Sequence, residues 1–348
     1  MHLLIFLTVA FPMQSNSAEL LREFVYQDAP FPQCHATTLA ETEKGLVTAW
    51  FGGTREKAPD VGIWVSRLDS GKWTPPVEVA NGIQPDGKRH PCWNPVLFQP
   101  VNAPLMLFYK VGPSPTSWWG MLLTSNDSGK SWSKPSKLPE GILGPIKNKP
   151  VQLPDGSILS PTSTEDNKLL SNWKIHFEHS ADLGKTWSKI YPSPDKPELI
   201  INAIQPSILI HSKDTLQALG RTKGGKIFET WSTDLGKSWS ALAYTGLPNP
   251  NSGTDAITLG DGSHLLVYNH TMFSRSPLNL AISKDGKSWN AALILENEKG
   301  EFSYPAIIQT KDGLVHLTYT WKRQRVRHLV IDPKKLQGKP IIDGKWPE

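Results

Sequence analysis

Apolar residues in this chain cluster in short runs rather than at helical spacing. Gly120-Met121-Leu122-Leu123-Thr124, Lys226-Ile227-Phe228-Glu229-Thr230-Trp231, Ala306-Ile307-Ile308-Gln309 and Leu314-Val315-His316-Leu317-Thr318-Tyr319 are typical. Such runs are rich in β-branched and aromatic residues and too short for a helix, so they predict strands. The polar breaks between them repeat. Ser125-Asn126-Asp127-Ser128-Gly129-Lys130-Ser131-Trp132 returns as Ser180-Ala181-Asp182-Leu183-Gly184-Lys185-Thr186-Trp187 and as Ser232-Thr233-Asp234-Leu235-Gly236-Lys237-Ser238-Trp239. A shortened copy is Ser283-Lys284-Asp285-Gly286-Lys287-Ser288-Trp289, and a blurred one is Ser66-Arg67-Leu68-Asp69-Ser70-Gly71-Lys72-Trp73. The tryptophans stand at 73, 132, 187, 239 and 289, spaced by 59, 55, 52 and 50 residues. A near-constant period of this size is the signature of a repeat architecture.

Within each copy the Asp is suited to accept hydrogen bonds from nearby backbone N–H groups, and the Gly supplies a left-handed conformation. The Trp then anchors the turn by burying a large aromatic surface. Each copy therefore reads as a turn between two strands of one sheet. A metal loop is the weaker reading, because no second carboxylate lies at calcium-loop spacing. Four short strands in a period of ~50 residues, repeated about an axis, describe a β-propeller. Five copies account for five blades. The tail from Glu301 to Pro333 carries two strand runs without the phrase, and Leu21 to Tyr26 is placed to complete it. The expected fold is all-β, a six-bladed propeller closed by joining the chain ends. It forms a single domain over residues 19–348.

Composition changes this picture little. Thirty Pro and 27 Gly suit many short strands with tight turns. Leu3 to Phe11 is an apolar core too short to span a bilayer, and Ser15-Asn16-Ser17-Ala18 offers small residues for cleavage. Residues 1–18 are therefore expected to be a signal peptide, which makes the protein secreted or periplasmic with no membrane span. Its n-region lacks Lys and Arg. The two cysteines, Cys34 and Cys92, fit either one disulfide or two buried thiols. Asn126 and Asn269 open N-glycosylation patterns. A net charge of +5 without a basic stripe argues against nucleic acid, and an acidic glycan suits an exported protein better. Zinc-type His/Cys spacing, a phosphate-binding loop and a Gly-x-Ser-x-Gly elbow are all missing, so no cofactor is expected.

With the turn phrases on one face, functional side chains should come from loops at the other. Those loops hold Arg55 and Asp60, Arg89 and His90, Trp118 and Trp119, Lys147, and Asp255. Trp93, Trp118 and Trp119 are either sugar-stacking platforms or core.

The repeated phrase is the Asp-box, and from about Phe24 to Pro333 the chain resembles the sialidase (neuraminidase) superfamily. Leu216-Gln217-Ala218-Leu219-Gly220-Arg221 and Arg275-Ser276-Pro277-Leu278-Asn279-Leu280 match the stretches that carry two of the family's arginines. Phe302-Ser303-Tyr304-Pro305-Ala306 matches the stretch with the catalytic Tyr, and Asp60 matches the acid/base Asp. The resemblance implies that Arg221 and Arg275 grip a substrate carboxylate while Tyr304 attacks the anomeric carbon. Asp60 would protonate the leaving oxygen and then activate water. Two positions depart from the family. His35 stands where its first Arg is expected, leaving Arg55 or Arg89 to compensate. Gln205 stands where its Glu is expected, leaving Glu165, Glu229 or Glu301 to take the Tyr proton. The implied activity is exo-acting hydrolysis of a terminal acidic sugar. Two alternatives stay open: a lyase on uronate-containing chains, using His35, His90 or Tyr304 as base, and a non-catalytic glycan-binding propeller.

Overall fold

The computed structural model describes residues 18–166, 172–194 and 199–348. Most of the expected leader, residues 1–17, lies outside the described residues; Ala18 is within them and fully buried. The described chain folds into six antiparallel sheets set around an axis. Each is a blade. The innermost strands are Gln33–Thr42, Cys92–Phe98, Val151–Gln152, Ala203–Ile210, Asp255–Thr258 and Phe302–Gln309. The inner two strands of most blades are buried on both faces, as in Leu105–Val111, because neighbouring blades cover them. Alternation appears only farther out, as in Trp119–Ser125. Among the described residues no helix is long and apolar enough to cross a membrane.

The closure joins the two chain ends. Glu19–Phe24 pairs antiparallel with Arg325–Ile331 and becomes the outer strand of the sixth blade. The blade without an Asp-box is thus completed by the N-terminal strand instead.

The Asp-boxes lie at the opposite end of the blades from the loops that follow each second strand. In the fourth blade, Ser238 donates to Asp234 from its backbone N–H at 2.9 Å and from its hydroxyl at 2.6 Å. The Gly236 N–H donates to Ser232 Oγ at 2.8 Å, and Trp239 stacks on Phe177 with ring centroids 3.9 Å apart. Phe177 belongs to the third blade. The box glycine also abuts that blade: a Cβ on Gly236, whose φ is +82°, would meet Leu159 at 2.6 Å. The equivalent glycines of the second, third and fifth blades face Val47, Met106 and Gln217, each in the preceding blade. The box is therefore a clamp between neighbours as well as a turn. The blurred first copy is the exception, since Gly71 has nothing within 4 Å of its added Cβ.

Two histidine pairs are packed toward the Asp-box end. His264 Nε2 lies 3.1 Å from His211 Nδ1, and His316 Nδ1 lies 3.0 Å from His328 Nε2. Burial, and secondarily the partner imidazole, hold His264 and His316 each down to about 4. Cys34 and Cys92 are separate buried thiols, and burial pushes Cys34 up to about 12. Asn269 is fully buried and donates to the carbonyls of Pro277 and Phe302, so it is closed to glycosylation in the folded protein.

Two predictions follow from these packings. Gly236→Ala and Gly71→Ala both place a side chain at positive φ, which costs about 1 kcal/mol. Only Gly236→Ala also overpacks a buried leucine, adding roughly 1–3 kcal/mol, so its melting temperature should fall clearly further. Equal shifts would remove the clamp role. Separately, a His buried neutral binds fewer protons folded than unfolded. The stability contributed by His264 and His316 is present above the unfolded value near 6.5 and is lost as pH falls toward about 4. Thermal melts should show His264→Gln and His316→Gln flattening the acid limb in that window; an unchanged limb would refute this assignment.

Candidate functional site at the channel mouth

The innermost strands of four blades carry the same irregularity near the channel mouth. The ladder register shifts between His35 and Thr38, Trp93 and Val96, Ile204 and Ser207, and Ser303 and Ala306. At each bulge one non-glycine residue is left-handed: Ala36 at φ 57°, Asn94 at 38°, Gln205 at 57° and Tyr304 at 51°. Bulges re-aim side chains, and left-handed non-glycine residues persist only where the surroundings hold them. Gln205 and Tyr304 are therefore equivalent positions on two blades, both turned toward the axis.

Tyr304 is the centre of the site. Its ring lies 4.2 Å, centroid to centroid, from His35. Arg221 Nη2 donates to the phenol oxygen at 3.2 Å, and its guanidinium carbon lies 5.4 Å from the ring centre. The Arg275 guanidinium lies 5.8 Å from the same ring, and the Lys147 ammonium 5.9 Å. Arg221 comes from the end of the second strand of the fourth blade, and Arg275 from the loop after the second strand of the fifth. His35 is buried with Nδ1 unpartnered. Burial first, then the charges of Arg323, Arg275, Arg221 and Lys147, hold it well below its ordinary value. His35, Arg221 and Arg275 thus converge on one phenol, and a third arginine, Arg323, joins them from the sixth blade.

Three carboxylates were candidates to partner Tyr304, and the fold separates them. Glu229 accepts from Gln217 and Trp231 on the third strand of its blade, toward the Asp-box end. Glu301 accepts from Arg275 at 2.7 Å, from Arg323 at 3.0 Å through both oxygens, and from Ser303 at 3.1 Å. Glu165 sits at the site end of its strand, opposite Trp173, over whose ring Arg221 lies at 5.3 Å. Burial raises its pKa, with Arg221 the strongest opposing influence. Gln205 is buried, and its Oε1 has no partner.

Lys147 and Asp255, expected at the substrate, are instead engaged between blades. The Lys147 ammonium donates to Asn148 Oδ1 at 2.7 Å, to the Thr254 carbonyl at 2.8 Å and to the Pro305 carbonyl. Burial brings it down to about 7. Asp255 accepts from Ser207 Oγ, the Ile307 N–H and Lys149, each at 2.9 Å. The reason is local. The third blade's inner strand has only two ladder residues, so the preceding segment is held by side chains. Glu178 accepts from the N–H groups of Leu143 and Gly144, and Lys110 donates to the Pro145 carbonyl.

The remaining candidates line the rim. Asp60 accepts from the Thr54 N–H at 2.7 Å and the Thr54 hydroxyl at 2.6 Å, chiefly exposed. Arg89 donates to the Asp60 carbonyl at 2.9 Å, and Arg55 lines a crevice with His35, Glu56 and Arg323. His90 packs edge-on against Trp119. Trp93 is buried and donates to the Gly112 carbonyl, so it is core; Trp118 packs edge-on against it at 5.9 Å and stays partly open. Sequence reasoning passed over Arg323, Glu56 and Trp173. For the bulges a signal was present: Asn94-Pro95, Gln205-Pro206 and Tyr304-Pro305 recur at one phase of the repeat. Among the described residues no cluster of three His, Cys, Asp or Glu could hold a metal ion.

Comparison with known proteins agrees with this architecture. The BNR repeat-like domain family matches residues 44–317. A sialidase of Bacteroides fragilis is 23% identical over 237 residues, which cover 62% of this chain and 41% of that protein, so the chain spans well under half of its relative. A crystal structure of a protein of unknown function from Dyadobacter fermentans superposes with a TM-score of 0.74 at 19% identity, covering 90% of this chain and 98% of the other. The NanB sialidase of Streptococcus pneumoniae gives 0.71 at 13% identity, covering 90% and 71%. The intramolecular trans-sialidase of Ruminococcus gnavus gives 0.70 at 12%, covering 91% and 98%. With a family match over most of its length, the chain belongs to the BNR repeat-like domain family, and it shares its six-bladed fold with solved sialidases.

Proposed function

We propose that the protein is a glycoside hydrolase of the sialidase type that removes a terminal acidic sugar from a glycan. One observation carries this reading: guanidinium groups from the fourth and fifth blades flank the phenol of Tyr304 on the sixth. Two planar cations at one phenol suit a substrate whose anomeric carbon bears a carboxylate. A neutral phenol approaches such a carbon with less repulsion than a carboxylate nucleophile would. In this mechanism Tyr304 forms the bond to the anomeric carbon as the glycosidic oxygen leaves, and water then releases the sugar with net retention. Asp60 is the acid and base on the rim. Of the carboxylates that could take the Tyr304 proton, Glu165 has the most suitable surroundings, since Glu301 is committed to two arginines and Glu229 lies away from the mouth. The apolar run from Leu3 to Phe11 supports export.

Fluorogenic α-sialosides and related acidic aryl glycosides are the assay. Tyr304→Phe should lower kcat on the order of 10³-fold or more while substrate analogues still bind. Arg275→Ala should act mainly on KM, by roughly 10- to 100-fold, since it removes charge-assisted hydrogen bonds. Full turnover by Tyr304→Phe would eliminate its role as nucleophile. Failure of the wild-type protein on every acidic glycoside would eliminate the hydrolase reading.

A further inference from the structure

The loop that carries Asp60 is tied to the arginine site by a chain of ion pairs. Residues 54–60 leave the second strand of the first blade and cross the rim of the channel mouth. Their own bonding is sparse: the Thr54 N–H donates to Asp60, the Ala58 N–H to the Arg55 carbonyl and the Val61 N–H to the Ala58 carbonyl. From this loop Glu56 accepts from Arg323 Nη1 at 2.7 Å. Arg323 Nε donates to both oxygens of Glu301 at 3.0 Å, and Glu301 accepts from Arg275 at 2.7 Å. All four side chains are about one-quarter to one-third exposed, at 35% for Glu56, 27% for Arg323, 31% for Glu301 and 27% for Arg275. At that burial a continuous network is worth more than an isolated surface pair.

Arg323 is fixed independently of these charges. It sits in the tight turn after the second strand of the sixth blade, left-handed at φ 56°, and its carbonyl accepts from the Cys34 N–H at 2.8 Å. That bond places it directly beside His35. In the Asp60 loop Lys57, which follows Glu56, is also left-handed at φ 75°. Glu56 thus holds the loop of the first blade to the sixth.

We propose that Arg323 is a positioning residue that couples the Asp60 loop to Arg275, through Glu56 on one side and Glu301 on the other. The catalytic part of this proposal rests on the hydrolase reading above; the mechanical part does not. A planar guanidinium suits the role because it holds two carboxylates in different directions at once, which one ammonium does less well. Occupation of Arg275 by a substrate carboxylate would redistribute the charge on Glu301 and Arg323, and so on the loop that carries the acid.

The test uses the full chain with Arg323→Gln, Glu56→Gln, their double variant and Arg323→Lys. Hydrogen–deuterium exchange is followed at the amides of Thr54, Ala58 and Val61, with melting temperature as the control for global stability. Arg323→Gln and Glu56→Gln should each speed exchange about three- to tenfold, the double variant no more than either single, and Arg323→Lys should recover part of the protection. On a 4-methylumbelliferyl α-sialoside, Glu56→Gln should lower kcat with KM retained and distort the acid limb of the pH profile. Unchanged loop exchange in Arg323→Gln, or additive effects in the double variant, overturns the coupling. If the wild-type protein turns over no acidic glycoside, the hydrolase reading fails while the exchange data still decide the coupling. Coupled exchange with kcat unaffected in an active enzyme overturns the positioning role.

Discussion

A single buried ammonium group holds together the inner ends of the blades. Lys147 rises from the third blade, and two of its three acceptors are carbonyls of the fifth and sixth. In an open channel water would satisfy such a group. In a closed one every donor needs a protein acceptor, and the acceptors at hand belong to other blades. Asp255 performs the complementary task, drawing in Ser207 from the fourth blade, Ile307 from the sixth and Lys149 from the third. Removing one member of such a set would strand its partner's charge, so the tie is stringent even where its net contribution is small. Tyr304 depends on it directly, because the Pro305 carbonyl held by Lys147 follows the strained Tyr304 backbone.

Above that tie the site is crowded with positive charge. Arg221, Arg275 and Arg323 surround Tyr304 and His35, and Glu301 offsets two of them. Position 35 is neutral, and the sixth blade supplies a guanidinium next to it. The charge expected from the first blade thus enters from its neighbour across the closure. A fourth arginine at position 35, fully buried among these cations, would face both desolvation and repulsion. Histidine avoids both by remaining uncharged.

The blade count was legible because each Asp-box is a local device: its hydrogen bonds span at most four residues, as from Gly236 to Ser232. Tyr304, Arg221 and Arg275 were legible because the short stretches that carry them match, in order along the blades, those of a known family. Arg323 was not. Its neighbours Lys322 and Gln324 look like an ordinary polar turn, and its partners Glu56 and Glu301 are 267 and 22 residues away. Lys147 and Asp255 were picked out as polar loop residues, but a sequence does not show whether a polar side chain faces a ligand or another blade.

Local pattern along the chain set the period, the turn chemistry, the six-bladed closure and the end of the blades at which the candidate site residues gather. The period and the turn chemistry follow from interactions within a hairpin or between consecutive repeats, and the closure follows from the one repeat that lacks an outer strand of its own. The tertiary structure alone decided which polar residues face one another across the axis, because those contacts join blades far apart in the chain. It placed Lys147 and Asp255 in the framework, Glu229 away from the mouth, and Arg323 beside Arg275 and His35. Convergence on an axis depends on the rotation between blades, and that rotation is set by face-to-face packing that no local pattern encodes.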